Sequence, residues 1–400
     1  MRRLYLTIAL LSLVPVVNAG GDDEKRILGH IDKLGGRYSA NSYAPSISVN
    51  AVDLGSTPAD DGDLEVVTPL NELRFLFLRS TKITDQGLKY VAPLEKLRYL
   101  FLGSTGVTDE GLKHVAGLKG LENLELSGTK ITDDGLKHLV KLPNLTTLDL
   151  SETQITAAGL EQLIGMKRLR TLYLPARVKS DHGLRYYVQI LQPTDLDIHS
   201  WPITDDGLKH LAKQKQLKTL AIYGTRVTDK GLIHLAALPN MESLNVSSTA
   251  VTGSGLKALR DLKHLRVLVL SYNSVNAEGM KQVGKLRQLQ RIHLADVTSL
   301  TAETMKPLAQ LPLLQSVELN DSSIDDDCVK HLAESKSIIS LSLYRTRVTD
   351  LGLKHLAGMK QLRALSLSYT YVTAEGIAEL QSALPKCSIT ADFLRSRKKS

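Results

Sequence analysis

Apolar residues recur along this chain on a single long period. Leu73, Leu97, Leu121, Leu145, Leu169, Leu217, Met241, Leu265 and Leu289 fall on a 24-residue grid, with Pro193 in the same register. One extra residue then moves the grid to Leu314, Ile338 and Leu362, and extrapolation backwards reaches Val49. About fourteen units are predicted over residues 49–385, with Lys386–Thr390 as a closing strand.

A clear unit is LENLELSGTKITDDGLKHLVKLPN, Leu121 to Asn144. Its LxxLxL half alternates with period two, as a half-buried strand does. Leu124 and Leu126 therefore point inward, Asn123, Glu125 and Ser127 outward, and Ile131 inward again. Thr132 suits a helix N-cap, and Asp133 falls in the first turn, where the dipole favours an anion. Leu136, Leu139 and Leu142 then follow at helical spacing. Each unit reads as strand, turn and short helix, and buries its apolar face only against its neighbours. Strands pack about 4.8 Å apart and helices about 8–10 Å, so the predicted stack curves. The expected fold is an α/β solenoid, a curved horseshoe with one parallel sheet on the concave face and helices on the convex face.

LxxLxLxxT followed by ITDxGLxxLxxL covers about 85% of the chain and resembles the leucine-rich repeat family. The ITDxGL half is similar to the subtype found in F-box substrate adaptors, with Thr81, Thr105, Thr129, Thr225, Thr346 and Thr370 where those adaptors often carry Cys. The whole arrangement is most similar to exported repeat proteins of planctomycete bacteria, which also carry a short amphipathic helix and LGG before the first repeat, as in IDKLGGRY here. The resemblance implies the solenoid fold and a habit of protein binding, and names no substrate. Residues 20–48 carry no F-box helix set, so an adaptor role in a ubiquitin ligase is not carried over.

The chain ends add a destination. Residues 1–19 read as a signal peptide: Arg2 and Arg3, an apolar run from Leu4 to Val17, and the small-residue pattern Val17-Asn18-Ala19. The run is too short for the roughly 20 residues a spanning helix needs. The expected mature chain begins near Gly20 and is exported, periplasmic, cell-surface or extracellular, without stable membrane insertion; the alternative reading of the run is an uncleaved N-terminal anchor. Residues 20–48 are read as an N-terminal capping segment. Its helix, Asp23 to Leu34, carries Ile27, Leu28, Ile31 and Leu34 on one face and ends at Gly35-Gly36. Residues 386–400 are read as the closing strand and a solvated basic tail.

Composition removes several function classes. Two cysteines exclude a disulfide framework, and Cys328 and Cys387 lie nearly three repeats apart, so two separate buried thiols are expected. The net charge of +8 comes from 50 basic and 42 acidic residues spread along the chain, a poor footprint for nucleic acid. HExxH, CxxC, P-loop and GxSxG motifs are absent from the sequence. His114, His138, His210, His234, His331 and His355 share one repeat position. They would sit on successive helices about 10 Å apart, far beyond the ~2 Å of a zinc–nitrogen bond, and are read as half-exposed helix residues. No enzyme, metal or cofactor is expected.

Binding candidates come from positions the repeat does not dictate. Phe75, Phe77, Tyr99 and Phe101 fall on the concave face of two adjacent units, with Arg79 at the edge. Aromatics and Arg make interface hot spots. Two covers remain open for them, a partner or the irregular residues 37–60. The second anomaly is residues 175–202, where Arg177 replaces the repeat Thr, Lys179 the inward Ile, and Trp201 the next Thr. The strand between places Asp195, Asp197 and His199 on the concave face, with Glu125 and Asp149 on nearby strands. This region reads as an acidic recognition patch for a basic partner, as an Asp/His metal site, or as repeat decay. The resulting expectation is a monomeric, non-enzymatic scaffold that recognises a protein, or a glycan, through Phe75, Phe77, Arg79, Tyr99, Phe101, Asp149, Asp195, Asp197, His199 and Trp201. The alternative is a structural component of an envelope or extracellular assembly.

Overall fold

The structure, a computed structural model, describes residues 22–41 and 48–392. The expected signal peptide and basic tail lie outside the described residues. Among the described residues sixteen strands recur in chain order: β1 (Arg37–Asn41), β2 (Ser48–Asp53), β3 (Phe75–Phe77), β4 (Tyr99–Phe101), β5 (Asn123–Glu125), β6 (Thr147–Asp149), β7 (Thr171–Tyr173), β8 (Asp195–Asp197), β9 (Thr219–Ala221), β10 (Ser243–Asn245), β11 (Val267–Val269), β12 (Arg291–His293), β13 (Ser316–Glu318), β14 (Ser340–Ser342), β15 (Ala364–Ser366) and β16 (Ser388–Thr390). A short α-helix or 3₁₀ turn follows nearly every strand, so the α/β solenoid fold is present.

The strands form two sheets where one was expected. β1 to β7 make a seven-stranded sheet and β8 to β16 a nine-stranded one, and the chain divides into two compact units after Leu191. The division falls in the segment where the repeat rules break. Pro193 occupies a repeat leucine position and has no N–H to give a ladder. The helix before it, Asp181–Leu191, runs 11 residues where several other repeat helices have 7.

Within each sheet the parallel strands pair in a constant register. Leu76, Leu100, Leu124, Leu148 and Leu172 are aligned from β3 to β7, and Leu196, Leu220, Leu244 and Leu268 from β8 to β11. All of these central residues are buried. The antiparallel β1–β2 hairpin closes the first sheet. The helix Asp22–Lys33 covers that end with Ile27 and Ile31, while Leu28 and Leu34 are only half-buried. His30 Nε2 lies 2.6 Å from Asp63 Oδ1 on the helix of the first repeat.

The structure explains the ITDxGL motif as an inter-repeat latch. Each helix-starting Asp is bonded by the Thr of the following repeat. Thr132 N–H donates to Asp109 Oδ1 at 2.9 Å and Thr132 Oγ1 to Oδ2 at 2.6 Å. The pairs Thr84–Asp61, Thr108–Asp85, Thr228–Asp205 and Thr349–Asp326 repeat this geometry. The motif glycine makes room for the same carboxylate. A Cβ on Gly135 would stand 2.3 Å from Asp109 Oδ1.

Two further regularities concern the turn after each strand. Repeat threonines such as Thr81, Thr105 and Thr129 are buried, and their hydroxyls donate to the carbonyls of Leu78, Leu102 and Leu126 at 2.6–2.7 Å. A buried hydroxyl needs such a partner. The residue just before this threonine adopts positive φ, at Ser80 (54°), Glu152 (58°), Arg345 (52°) and Tyr369 (61°) among others. That conformation costs a non-glycine residue about 1–2 kcal/mol. It is held by ladder bonds such as Ser80 N–H to the Gly103 carbonyl at 2.8 Å.

The two thiols are free and buried, as expected. Burial pushes Cys328 up to about 12 and also raises Cys387, so neither is poised as a nucleophile. The repeated histidines are half-exposed, as expected. Burial, then Lys141 and Lys137, lowers the pKa of His138. Among the described residues no helix is long and apolar enough to cross a membrane.

Candidate functional site

The β3–β4 register sets Phe75 beside Tyr99 and Phe77 beside Phe101. Leu76 and Leu100, which alternate with them, are fully buried, so the rings stand on the open face of the sheet. Phe75 and Tyr99 stack with centroids 4.5 Å apart and planes 11° from parallel. Phe77 and Phe101 stack at 4.7 Å and 3°. Four rings thus form one plate over two strands.

The plate has a built edge. Arg79 Nε donates to Glu125 Oε2 at 2.6 Å, and its guanidinium carbon lies 5.5 Å from the Phe101 centroid. Glu125 also accepts from Gly103 N–H at 3.2 Å and from the Ser127 hydroxyl. Gly103 leaves room for this carboxylate, since a Cβ on it would lie 2.4 Å from Glu125 Oε1. Two expectations change as a result. Phe101 is only 6% exposed, being covered by Phe77 and Arg79, so it supports the plate from beneath its edge. Glu125 is buried and neutralised, so it is not part of an open acidic patch. Phe75, Phe77 and Tyr99 remain half-exposed.

The irregular residues expected as a self-cover take another course where they are described. Residues 37–41 pair with the outer edge of β2, so the hairpin lies in the plane of the sheet. Asp149, half-buried on β6, accepts from Ser151 N–H at 2.8 Å.

Asp195, Asp197 and His199 belong to the second unit, at the β8 edge of its sheet, and all three are exposed. Asp197 Oδ1 lies 2.8 Å from His199 Nδ1. His199 stacks on Tyr223 of the next repeat at 4.7 Å and 2°. The hydroxyls of Thr219 and Thr194, with Lys218 adding to them, hold the Asp195 carboxyl below its ordinary value. Among the described residues, no three His, Cys, Asp or Glu side chains are grouped so as to hold a metal ion.

The remaining anomalies are corrections. Trp201 occupies the slot that Thr225 fills one repeat later, and is 8% exposed, so it packs inward and is not offered to a partner. Lys179 does not take the inward Ile position. A 3₁₀ turn at Ala176–Val178 shifts the chain so that Val178 fills it, fully buried. Arg177 then points outward and donates to the Thr153 carbonyl. Tyr223 went unnoticed in the sequence, as did a cluster at Tyr344, Tyr369 and Tyr371. The available signal was tyrosine at turn positions of successive repeats.

A leucine-rich repeat family model matches residues 119–176, and a second leucine-rich repeat model matches residues 237–259 and 261–283. No curated protein matches the chain. Among solved structures, a leucine-rich repeat protein of Leptospira interrogans is similar at 20% identity and a TM-score of 0.53, over 81% of this chain and 91% of that one. An internalin of Listeria monocytogenes is 18% identical over 94% of this chain and 96% of that one, with a TM-score of 0.34. The repeat register, the two parallel sheets, the family models and the Leptospira likeness agree: this chain is a leucine-rich repeat protein.

Proposed function

We propose that this protein is an exported, non-enzymatic scaffold that binds a protein partner on the open sheet face of its first unit. The observation that carries the reading is the half-exposed aromatic plate of Phe75, Phe77 and Tyr99, braced by Phe101 and the Arg79–Glu125 pair. Exposed aromatic area forgoes burial. Stacked rings held by a buried ion pair are pre-organised, so a partner gains their burial with little ordering cost. The leader-like residues 1–19 support export. Asp195, Asp197 and His199 supply a second, polar contact area for a basic partner.

Phe75→Ser combined with Tyr99→Ser tests the reading. This pair spares Phe101, whose removal would open the Glu125 site. Partner capture from the envelope fraction of the source cells should fall at least about tenfold, equivalent to roughly 1.4 kcal/mol. Stability should change by only about 1 kcal/mol, since both rings are half-exposed. An unchanged set of captured proteins from the folded variant would overturn the proposal.

A further inference from the structure

The last repeats of the second unit hold a cleft of about 540 Å³ lined by Ser322, Tyr344, Arg345, Thr346, Arg347, Tyr369 and Tyr371. Its size falls within the range of small-ligand sites. It lies at the turns that follow β13, β14 and β15. Tyr344 and Tyr369 meet edge to face at 5.4 Å and 78°. Tyr369 is 41% and Tyr371 63% exposed, although each could have been a small residue at its turn position. Arg345 is shared with Asp321, at 3.1 Å, and remains largely in solvent. Arg347 is exposed, and among the described residues its guanidinium has no acidic partner. The cleft therefore carries net positive charge.

We infer that this cleft binds a carboxylated sugar, such as a uronic acid unit of an acidic polysaccharide. Every lining side chain is aromatic, cationic or hydroxylic, and none is aliphatic. A sugar ring offers a C–H face to a tyrosine ring and hydroxyls to the phenols, and its carboxylate matches the planar guanidinium fork. The hydroxyls of Ser322 and Thr346 already donate to the Leu319 and Leu343 carbonyls, which leaves their oxygens as acceptors for sugar hydroxyls. An acidic peptide fits less well. Aliphatic anchor pockets are absent from the lining, and three of its main-chain donors are already bonded. Arg345 N–H bonds Ser368 O at 3.0 Å, Arg347 N–H bonds Ile324 O at 2.8 Å, and Tyr371 N–H bonds Val348 O at 2.9 Å. These three N–H groups are therefore not free to pair with an added strand.

Titration of the full chain with trigalacturonate, maltotriose and a triglutamate peptide, read by calorimetry and by tyrosine ring NMR signals, tests this. Trigalacturonate should bind saturably, at least roughly tenfold tighter than either control, and the preference should shrink with added salt. Arg347→Gln should remove most of that preference, and Tyr371→Ala should weaken binding of the sugar. Both residues are exposed, so the melting temperature should hold. Phe75→Ser with Tyr99→Ser should leave sugar binding unchanged, which separates this site from the proposed protein-binding face. Absence of saturable trigalacturonate binding, equal binding of maltotriose or triglutamate, or indifference to Arg347→Gln would overturn the inference.

Discussion

Leu148→Ala is expected to destabilise the protein by roughly 2–5 kcal/mol, from lost transfer energy and the cavity left behind. Leu148 is fully buried on β6, between Leu124 of β5 and Leu172 of β7. Its neighbours are themselves fixed in a ladder, so the space cannot collapse fully. Lys137→Ala, on the exposed helix face of the preceding repeat, should stay within about 0.5 kcal/mol. Chemical denaturation of both variants checks the register: equal midpoints would place Leu148 outside the core.

The second large effect belongs to the latch. Asp109→Ala removes two hydrogen bonds from Thr132 to a charged acceptor. With partial exposure taken into account, the expected loss is roughly 2–3 kcal/mol. Gly135→Ala should also destabilise, because its Cβ would meet that carboxylate. The two losses should not add. Once Asp109 is alanine, Gly135→Ala should cost much less, and a double-mutant cycle measures the difference. Full additivity would show that the glycine serves another purpose. The latch also has a pH signature at Asp229. Burial opposes its ionisation, but hydrogen bonds from Thr252, Gly253, Gly255 and Ser254 outweigh it and lower its pKa. A carboxyl depressed on folding stabilises above its unfolded pKa, and this contribution is lost as pH falls through the folded value. Asp229→Asn should therefore flatten the loss of stability below about pH 4.

What was legible in the sequence follows from the range of the interactions. Period-two and helical spacing are local, so the strand, turn and helix of each unit and the inward leucines could be read directly, and the constant 24-residue period set Phe75 beside Tyr99. Contacts between repeats were harder. Thr132 and Asp109 lie 23 residues apart, and Arg79 and Glu125 lie 46 apart, across two strands. Glu125 therefore read as an outward acid when it is a buried brace. Trp201 read as an exposed anchor because the slot it fills holds a small threonine elsewhere. Lys179 was misplaced because a 3₁₀ turn moved Val178 into its position. The positive-φ turn residue left no trace, since serine, glutamate, tyrosine and arginine all occupy it and the ladder bonds supply the constraint.

The central claim is that a partner docks on the sheet face and not on the helices. Site-specific photo-cross-linking decides it. Tyr99→p-benzoylphenylalanine places a reactive group on the plate, and Lys137→p-benzoylphenylalanine places one on the outer helix face. With the envelope fraction of the source cells, position 99 should yield a discrete cross-linked product that competing unlabelled protein removes, and position 137 should yield none. A discrete product from position 137 with none from position 99 would contradict the account and favour assembly through the helical surface.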